Sequence, residues 1–259
     1  MRNFTRNISL AFVPVLVFLF LWQFLVEGNR KMEFLLSTPS NIGAVISEDI
    51  LKISYWENIA ATSAAMIGGF VVAVVIGALI GFFLWWFRPI RQIGNIYLLA
   101  LGSIPVFALA PLIIFWFGVG YIAKIVVVMF SAVFLIASGF LNSSVEAERL
   151  YGEVVMGLGG NRRVLFSKVV FPGALFFSIP TIKSAVSLAI IGAFVAEWIS
   201  SEIGVGKYIL TSLSLFDVPR MMFGILTFLI VATLFSTIIE GVLTLVWGER
   251  RRALKEARF

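Results

Sequence analysis

Apolar residues along this chain come in long, nearly unbroken runs, and the polar residues collect between them. Six stretches, approximately 8–27, 58–87, 93–117, 122–141, 173–200 and 221–247, stand out. Each is long enough to cross a hydrocarbon core of roughly 30 Å, which takes about 20 residues in helical form. None shows the short alternating segments of barrel strands, so all six predict α-helices whose backbone polar groups are satisfied internally. The expected class is therefore an all-α integral membrane protein with six transmembrane helices.

Composition agrees with that pattern. Of 259 residues, 60% are apolar and 13% are charged, about half the charged share of a soluble domain. The formal charge of +6 would suit nucleic acid, but the cations sit at the ends of the apolar runs, as in proteins that place them on one face of a bilayer. No nucleic-acid partner is expected. The chain has no Cys, so it forms no disulfide and has no thiolate nucleophile, and it has no His. Zinc sites of the usual ligand set and His-based acid–base catalysis are excluded, and no metal or cofactor site is expected. Arg2 and Arg6 precede the first run as they would in a signal peptide, but Phe24-Leu25-Val26-Glu27-Gly28-Asn29-Arg30 offers no small-residue cleavage site. The run is read as the first transmembrane helix.

An even number of spans puts both termini on one side. With that side cytoplasmic, thirteen cations are internal: Arg2, Arg6, Arg88, Arg91, Arg149, Arg162, Arg163, Lys168, Arg250, Arg251, Arg252, Lys255 and Arg258. Six are external, namely Arg30, Lys31, Lys52, Lys124, Lys207 and Arg220, and Lys183 lies within the fifth span. The asymmetry predicts cytoplasmic termini. Residues 1–57 then comprise the first helix and an outer segment whose stretch from Ser40 to Lys52 reads as an amphipathic surface helix. Residues 58–252 form the transmembrane core, with one large inner loop at about 142–172, and 253–259 form a cytoplasmic tail.

Two glycine motifs fail. Gly204-Val205-Gly206-Lys207 looks like half of a phosphate-binding loop, but Ser201 and Tyr208 stand where Gly and Ser or Thr are required. It is expected to be an outer turn. Gly157-Leu158-Gly159-Gly160 has Arg162 in place of the third glycine of a dinucleotide fingerprint, and no βαβ unit surrounds it. Neither binds a nucleotide, so this chain does not hydrolyse ATP alone.

The inner loop has the parts of a docking element. Val154, Val155, Met156 and Leu158 can offer a short apolar face, Gly159-Gly160 can end the helix and turn the chain, and Arg162 and Arg163 can meet acidic groups or lipid phosphates. The stretch Glu153 to Pro172 resembles the signature loop of ABC importer permeases, with Glu153, Gly159 and Pro172 on its defining positions, Val169 and Phe171 on its aliphatic ones and Val154-Val155 in place of the usual Ala pair. The likeness runs from about residue 35 to 252. Leu36-Ser37-Thr38-Pro39-Ser40, Ser103-Ile104-Pro105 through Leu112, Phe115-Trp116-Phe117-Gly118-Val119-Gly120, Val195-Ala196-Glu197 and Gly204 through Ile209 are similar to the nitrate/sulfonate/taurine-type branch. That branch usually has Arg and Pro where Gly102 and Ser103 stand, and Pro where Val106 stands.

The resemblance implies a type I importer transmembrane domain that moves a solute without being an enzyme. It implies two ATPase subunits that carry ATP and Mg²⁺ and dock on Glu153, Val154, Val155, Met156, Gly157, Leu158, Gly159, Gly160, Arg162, Arg163 and Pro172. A solute-binding protein outside, a second copy of this chain and residence in the bacterial cytoplasmic (inner) membrane follow from the same likeness. The translocation path is expected among Ser103, Pro105, Phe107, Pro111, Ser187 and Glu197, with Trp116 and Phe194 as further aromatic borders. Pro105 and Pro111 each remove a backbone donor, serving either a bent path-lining helix or a packing kink. Glu197 is read either as an outer-gate residue or as a solvated interfacial group, and Glu240 as the ion-pair partner of Lys183. Gly69, Ala73, Gly77 and Gly81 form a small-residue stripe, read first as packing within the subunit and second as a seam between subunits.

Gly102 at the position of the usual Arg favours a neutral or aromatic solute, such as a vitamin or thiamine-precursor pyrimidine, ahead of a sulfonate, taurine or nitrate-type anion. Two other classes compete. An ion-coupled secondary transporter would place several ionisable groups at mid-membrane, where this chain has few, and a membrane enzyme would need a catalytic constellation that is hard to build without His or Cys.

Overall fold

The computed structural model describes residues 2–199 and 202–256, with side chains described for 13–199 and 202–246. The end cations Arg2, Arg6, Arg250, Arg251, Arg252, Lys255 and Arg258, the tail from 257 and Ser201 lie outside the described residues or side chains. Among the described residues every regular element is helical. The helices are α1 Arg2–Val26, α2 Arg30–Leu36, α3 Pro39–Asp49, α4 Ile53–Trp86, α5 Arg88–Gly102, α6 Val106–Phe117, α7 Tyr121–Gly157, α8 Arg162–Leu165, α9 Phe171–Phe177, α10 Ile179–Ile199, α11 Val205–Ser214 and α12 Val218–Glu256. The α4, α7 and α10 helices and Val218–Val246 of α12 are apolar and long enough to span a bilayer, α5 and α6 pass that test only as a bent pair, and Val13–Val26 of α1 is a shorter apolar stretch.

Residues 61–202 and 230–259 form one compact unit. Its centre is α7, packed on α4 and α10. The small-residue stripe on α4 sets the closeness of that packing. A Cβ on Gly69, Gly77 or Gly81 would come within 2.4 Å of Val128, 2.7 Å of Ile136 or 2.6 Å of Phe140, and Ala73 is fully buried. The stripe therefore packs within the subunit. Each partner on α7 follows in the same order as the glycines, so α4 and α7 run parallel and the chain between them must return across the unit's thickness. By contrast α10 runs antiparallel to α7, with Gly192 against Val128 and Ser131, and Gly139 against Thr181. We expect Gly77→Leu to overpack this seam at a cost of about 3 kcal/mol or more. Thermal unfolding in detergent should separate it from Gly43→Leu, an exposed position where an added Cβ meets nothing within 4 Å.

Two expectations change here. The return segment is not one helix over 93–117: α5 begins at Arg88, ends at Gly102, and meets α6 at 91°. The break falls at Ser103-Ile104-Pro105, where proline disfavours helical backbone at the preceding residue. Pro111 sits inside α6. Nor is 142–172 a loop. Helix α7 continues through Gly157, turns at 158–161, and resumes as α8, a π-helical turn at Phe166–Val170 and α9. Pro172 stands in the first turn of α9, and the Phe171 N–H bonds five residues back to the Phe166 carbonyl, so the helix widens where proline would clash with a normal turn. A further break at Ser178 separates α9 from α10.

Residues 1–60 and 203–229 form the second unit. The expected surface helix is α3, whose N-cap Thr38 accepts a hydrogen bond from Asn41 N and has Pro39 behind it; α2 precedes it, capped by Asn29. Ile42, Tyr55 and Phe223 make the core, with Trp22, Val45, Ile46 and Tyr208 around it. Gly204, at φ +141°, is the turn residue expected there, but Val205 to Tyr208 already belong to α11. Gly204 N donates to Asn58 Oδ1 at 2.7 Å.

An ionic network ties this unit together. Buried Asp49 accepts from Lys52 Nζ at 2.6 Å, from the Tyr208 hydroxyl at 2.6 Å and from Arg220 Nε at 3.2 Å. Arg220 also reaches Glu48 and Asp217. Burial alone would raise the Asp49 carboxyl, but the hydrogen bonds from Lys52, Tyr208 and Arg220 hold it below its ordinary value. Burial first, and then the Asp49 carboxylate, push the Tyr208 phenol up. Asp49→Asn should cost about 1–3 kcal/mol. With its folded-state value depressed, the stabilisation from Asp49 is complete above the ordinary aspartate value and disappears as pH falls through the folded one. The gap in thermal midpoint between wild type and variant should hold from neutral pH downward and close below about pH 4.

Candidate functional site

The expected docking element lies at the end of α7 and in the turn after it. Gly159 takes φ +80°, and the turn closes with Leu158 N–H to Val154 O, Gly159 N–H to Met156 O and Gly160 N–H to Val155 O. Left-handed backbone at Gly159 is a common way to end a helix, and it exposes the tip. Leu158 is 84% exposed, Val154 61% and Met156 54%. Glu153, Gly157 and Arg163 are also exposed. Asn161 then caps α8 by accepting from Arg163 N and Val164 N, each at 3.0 Å.

Two members of the expected face point elsewhere. Val155 turns inward and packs on the core of Leu84, Trp85, Leu98, Ala137, Leu141, Leu165 and Val170, because its position falls on the buried side of α7. Arg162 also turns inward. Its Nη2 donates to the carbonyls of Trp85, at 3.2 Å, and Trp86 at the C-terminus of α4. Its guanidinium lies 5.4 Å and 5.5 Å from the two indole centroids. The last carbonyls of α4 have no intrahelical donor, which draws the cation in. Arg163 is left as the outward arginine.

Beneath the turn sits a second cluster. Glu148 accepts from Trp85 Nε1 at 2.9 Å, Arg88 at 2.6 Å and Arg91 at 3.1 Å, and Arg91 also donates to the Trp85 carbonyl at 3.0 Å. Glu148 thus joins α7 to the end of α4 and the start of α5.

Of the expected path residues, Ser103 and Pro105 come together at the α5–α6 break. They line a cavity of about 230 Å³ with Leu101, Gly102, Val106, Phe130, Ser131, Phe134 and Ile191 among its walls, none of them charged. Phe107 and Pro111 are exposed on α6. Ser187 falls in a separate cavity with Lys183, Ser236 and Glu240, where Lys183 and Glu240 form the expected ion pair. Glu197 lines neither cavity and is not solvated.

The Glu197 carboxylate is fully buried. It accepts from Thr62 Oγ1 at 2.8 Å and 2.9 Å and lies 3.3 Å from Lys124 Nζ. Lys124, counted with the outer cations, is itself 3% exposed. The signal in the sequence was its spacing: Ala123, Lys124, Val127 and Val128 recur on the face of α7 that is buried. Residues of α4, α7 and α10 thus meet at one buried charge pair.

The described residues thus combine apolar helices of spanning length, a broken helix pair, an uncharged cavity and an exposed apolar tip. Residues 73–247 match the family of binding-protein-dependent transport system inner membrane components, and the chain belongs to that family. The riboflavin transport system permease protein RibX of Chloroflexus aurantiacus is 30% identical over 234 residues, 89% of this chain and 86% of its own. The formylaminopyrimidine transport permease protein ThiX of Halalkalibacterium halodurans is 28% identical over 211 residues, 81% of this chain and 84% of its own. These relatives are transport permeases by name, not enzymes, and this chain is a multi-pass component of the inner membrane.

Proposed function

We propose that this chain is the transmembrane subunit of an ATP-binding cassette importer, with six crossings and cytoplasmic termini. It works as a pair of copies with two cytoplasmic ATPase subunits and an extracytoplasmic solute-binding protein. ATP and Mg²⁺ reside on the ATPase. The observation that carries the reading is the tip of α7: Val154, Met156 and Leu158 present large apolar side chains beside the Gly159 turn, flanked by Glu153 and Arg163. Exposed apolar side chains in a polar rim mark a protein contact. ATP binding would draw the two tips together and bias the path outward, and hydrolysis would reset it.

The solute is a small organic molecule, with a neutral nitrogen heterocycle of the vitamin or pyrimidine type ahead of a sulfonate-type anion. Support comes from the uncharged walls of the cavity at the α5–α6 break and from relatives named for riboflavin and formylaminopyrimidine. A cavity of this size and lining suits a small, mostly apolar ligand held by a few polar groups. The test is purification of the complex, identification of the small molecule retained by the binding protein, and uptake by proteoliposomes. Uptake should require enclosed ATP. Uptake by this chain alone, driven by an ion gradient, would instead make it a secondary transporter.

A further inference from the structure

We propose that Arg162 is a positioning residue that carries movement of the α7 tip to the cavity at the α5–α6 break, by clamping the turn to the end of α4 and through it to α5. The inference rests on the reading of the tip as an ATPase-docking element.

The connection is short and continuous. Arg162 follows the turn directly. Its guanidinium donates to the Trp85 and Trp86 carbonyls and lies over both rings. The Trp85 carbonyl that receives Arg162 also receives Arg91, at 3.0 Å. One oxygen therefore holds both the turn and α5. Glu148 reinforces the join by binding the Trp85 indole, Arg88 and Arg91 together.

From there α5 runs 15 residues to Gly102, about 22 Å as a helix. Its far end, Leu101 and Gly102, is a wall of the cavity. A displacement at the turn thus reaches the cavity edge through a clamp and a rigid rod, with no loop intervening. Such a switch needs a second bonding arrangement. Arg91 and Arg162 each keep a buried Nε–H with no acceptor, so the present bonding does not saturate the clamp. A simple helix cap would account for the carbonyl bonds, but it would not require the same carbonyl to hold α5.

The absence of native Cys permits a direct test. Ser103→Cys places one thiol at the cavity wall, and maleimide labelling of the assembled transporter is timed with and without ATP and vanadate. With Arg162 intact, nucleotide should change the labelling rate roughly fivefold or more. In Arg162→Gln the change should shrink below about twofold, while the ATPase subunits co-purify in the wild-type ratio. Arg162→Lys, which keeps the charge but lacks the planar fork, should recover only part of it. A full nucleotide response in Arg162→Gln overturns the proposal. So does parallel loss of the ATPase subunits, which would place Arg162 in the docking face itself. If Arg162→Gln does not assemble, Trp86→Leu decides. It removes one stacking face and should give an intermediate response, and an unchanged response overturns the proposal. Absence of ATPase subunits, or of any nucleotide response, with Arg162 intact counts against the docking reading instead.

Discussion

Replacing Glu197 with glutamine should destabilise the protein by about 3–5 kcal/mol, the scale for removing one member of a buried ion pair. The amide strips Lys124 of the carboxylate 3.3 Å away while the ammonium stays in a site that is 3% exposed. It also replaces one of the two oxygens that accept from Thr62, leaving the carboxamide oxygen to receive that hydroxyl. Lys124→Met should also destabilise, because it leaves the buried Glu197 carboxylate without the ammonium 3.3 Å away. The double variant Lys124→Met with Glu197→Met should recover much of the loss, since apolar side chains of similar volume often replace a buried pair without penalty. The midpoint of heat-induced loss of monodisperse protein in detergent would show this order. A double variant no better than Glu197→Gln would mean that the site needs its polar groups for something besides stability.

That pair shows what the chain discloses of itself and what it hides. The membrane-spanning helices are legible because a bilayer imposes length and apolarity on each segment locally. Helix α4 and the apolar part of α12 lie within a few residues of the expected runs. The break at Ser103–Pro105 carried a local signal, since proline restricts Ile104, yet hydrophobicity continues through it and a run-length reading joins the halves. The tip at Val154–Gly160 was legible because its glycines and apolar residues are adjacent in sequence. The direction of Arg162 was not, because what captures it is the end of α4, some 76 positions away. Lys124 and Glu197 were hidden for the same reason: each looks like an interfacial charge until Thr62 and α7 close around the carboxylate. Long-range pairing, rather than propensity, decides these side chains.

Leu158→Asp should weaken capture of the ATPase subunits roughly thirtyfold or more, the effect of removing a central anchor worth about 2 kcal/mol. It should barely alter the stability of the permease. Leu158 is 84% exposed, and it follows the end of a helix whose closing bonds are backbone only, so an aspartate there leaves the fold's own contacts intact. Placed against an apolar groove, however, the same carboxylate must be desolvated. Val155→Asp is the contrasting variant. Its side chain packs under the turn against the core around Trp85, and the loss should be of folded permease rather than of docking. Leu215→Asp, similarly exposed at 73% but in the other unit, should affect neither. Co-purification ratio and thermal midpoint, measured together, separate the three. If Leu158→Asp retains the ATPase at the wild-type ratio, the α7 tip is not the anchor. If it loses the ATPase and Leu215→Asp does not, the effect belongs to the place of the leucine rather than to its exposure, and the turn built by Gly159 is what puts it there.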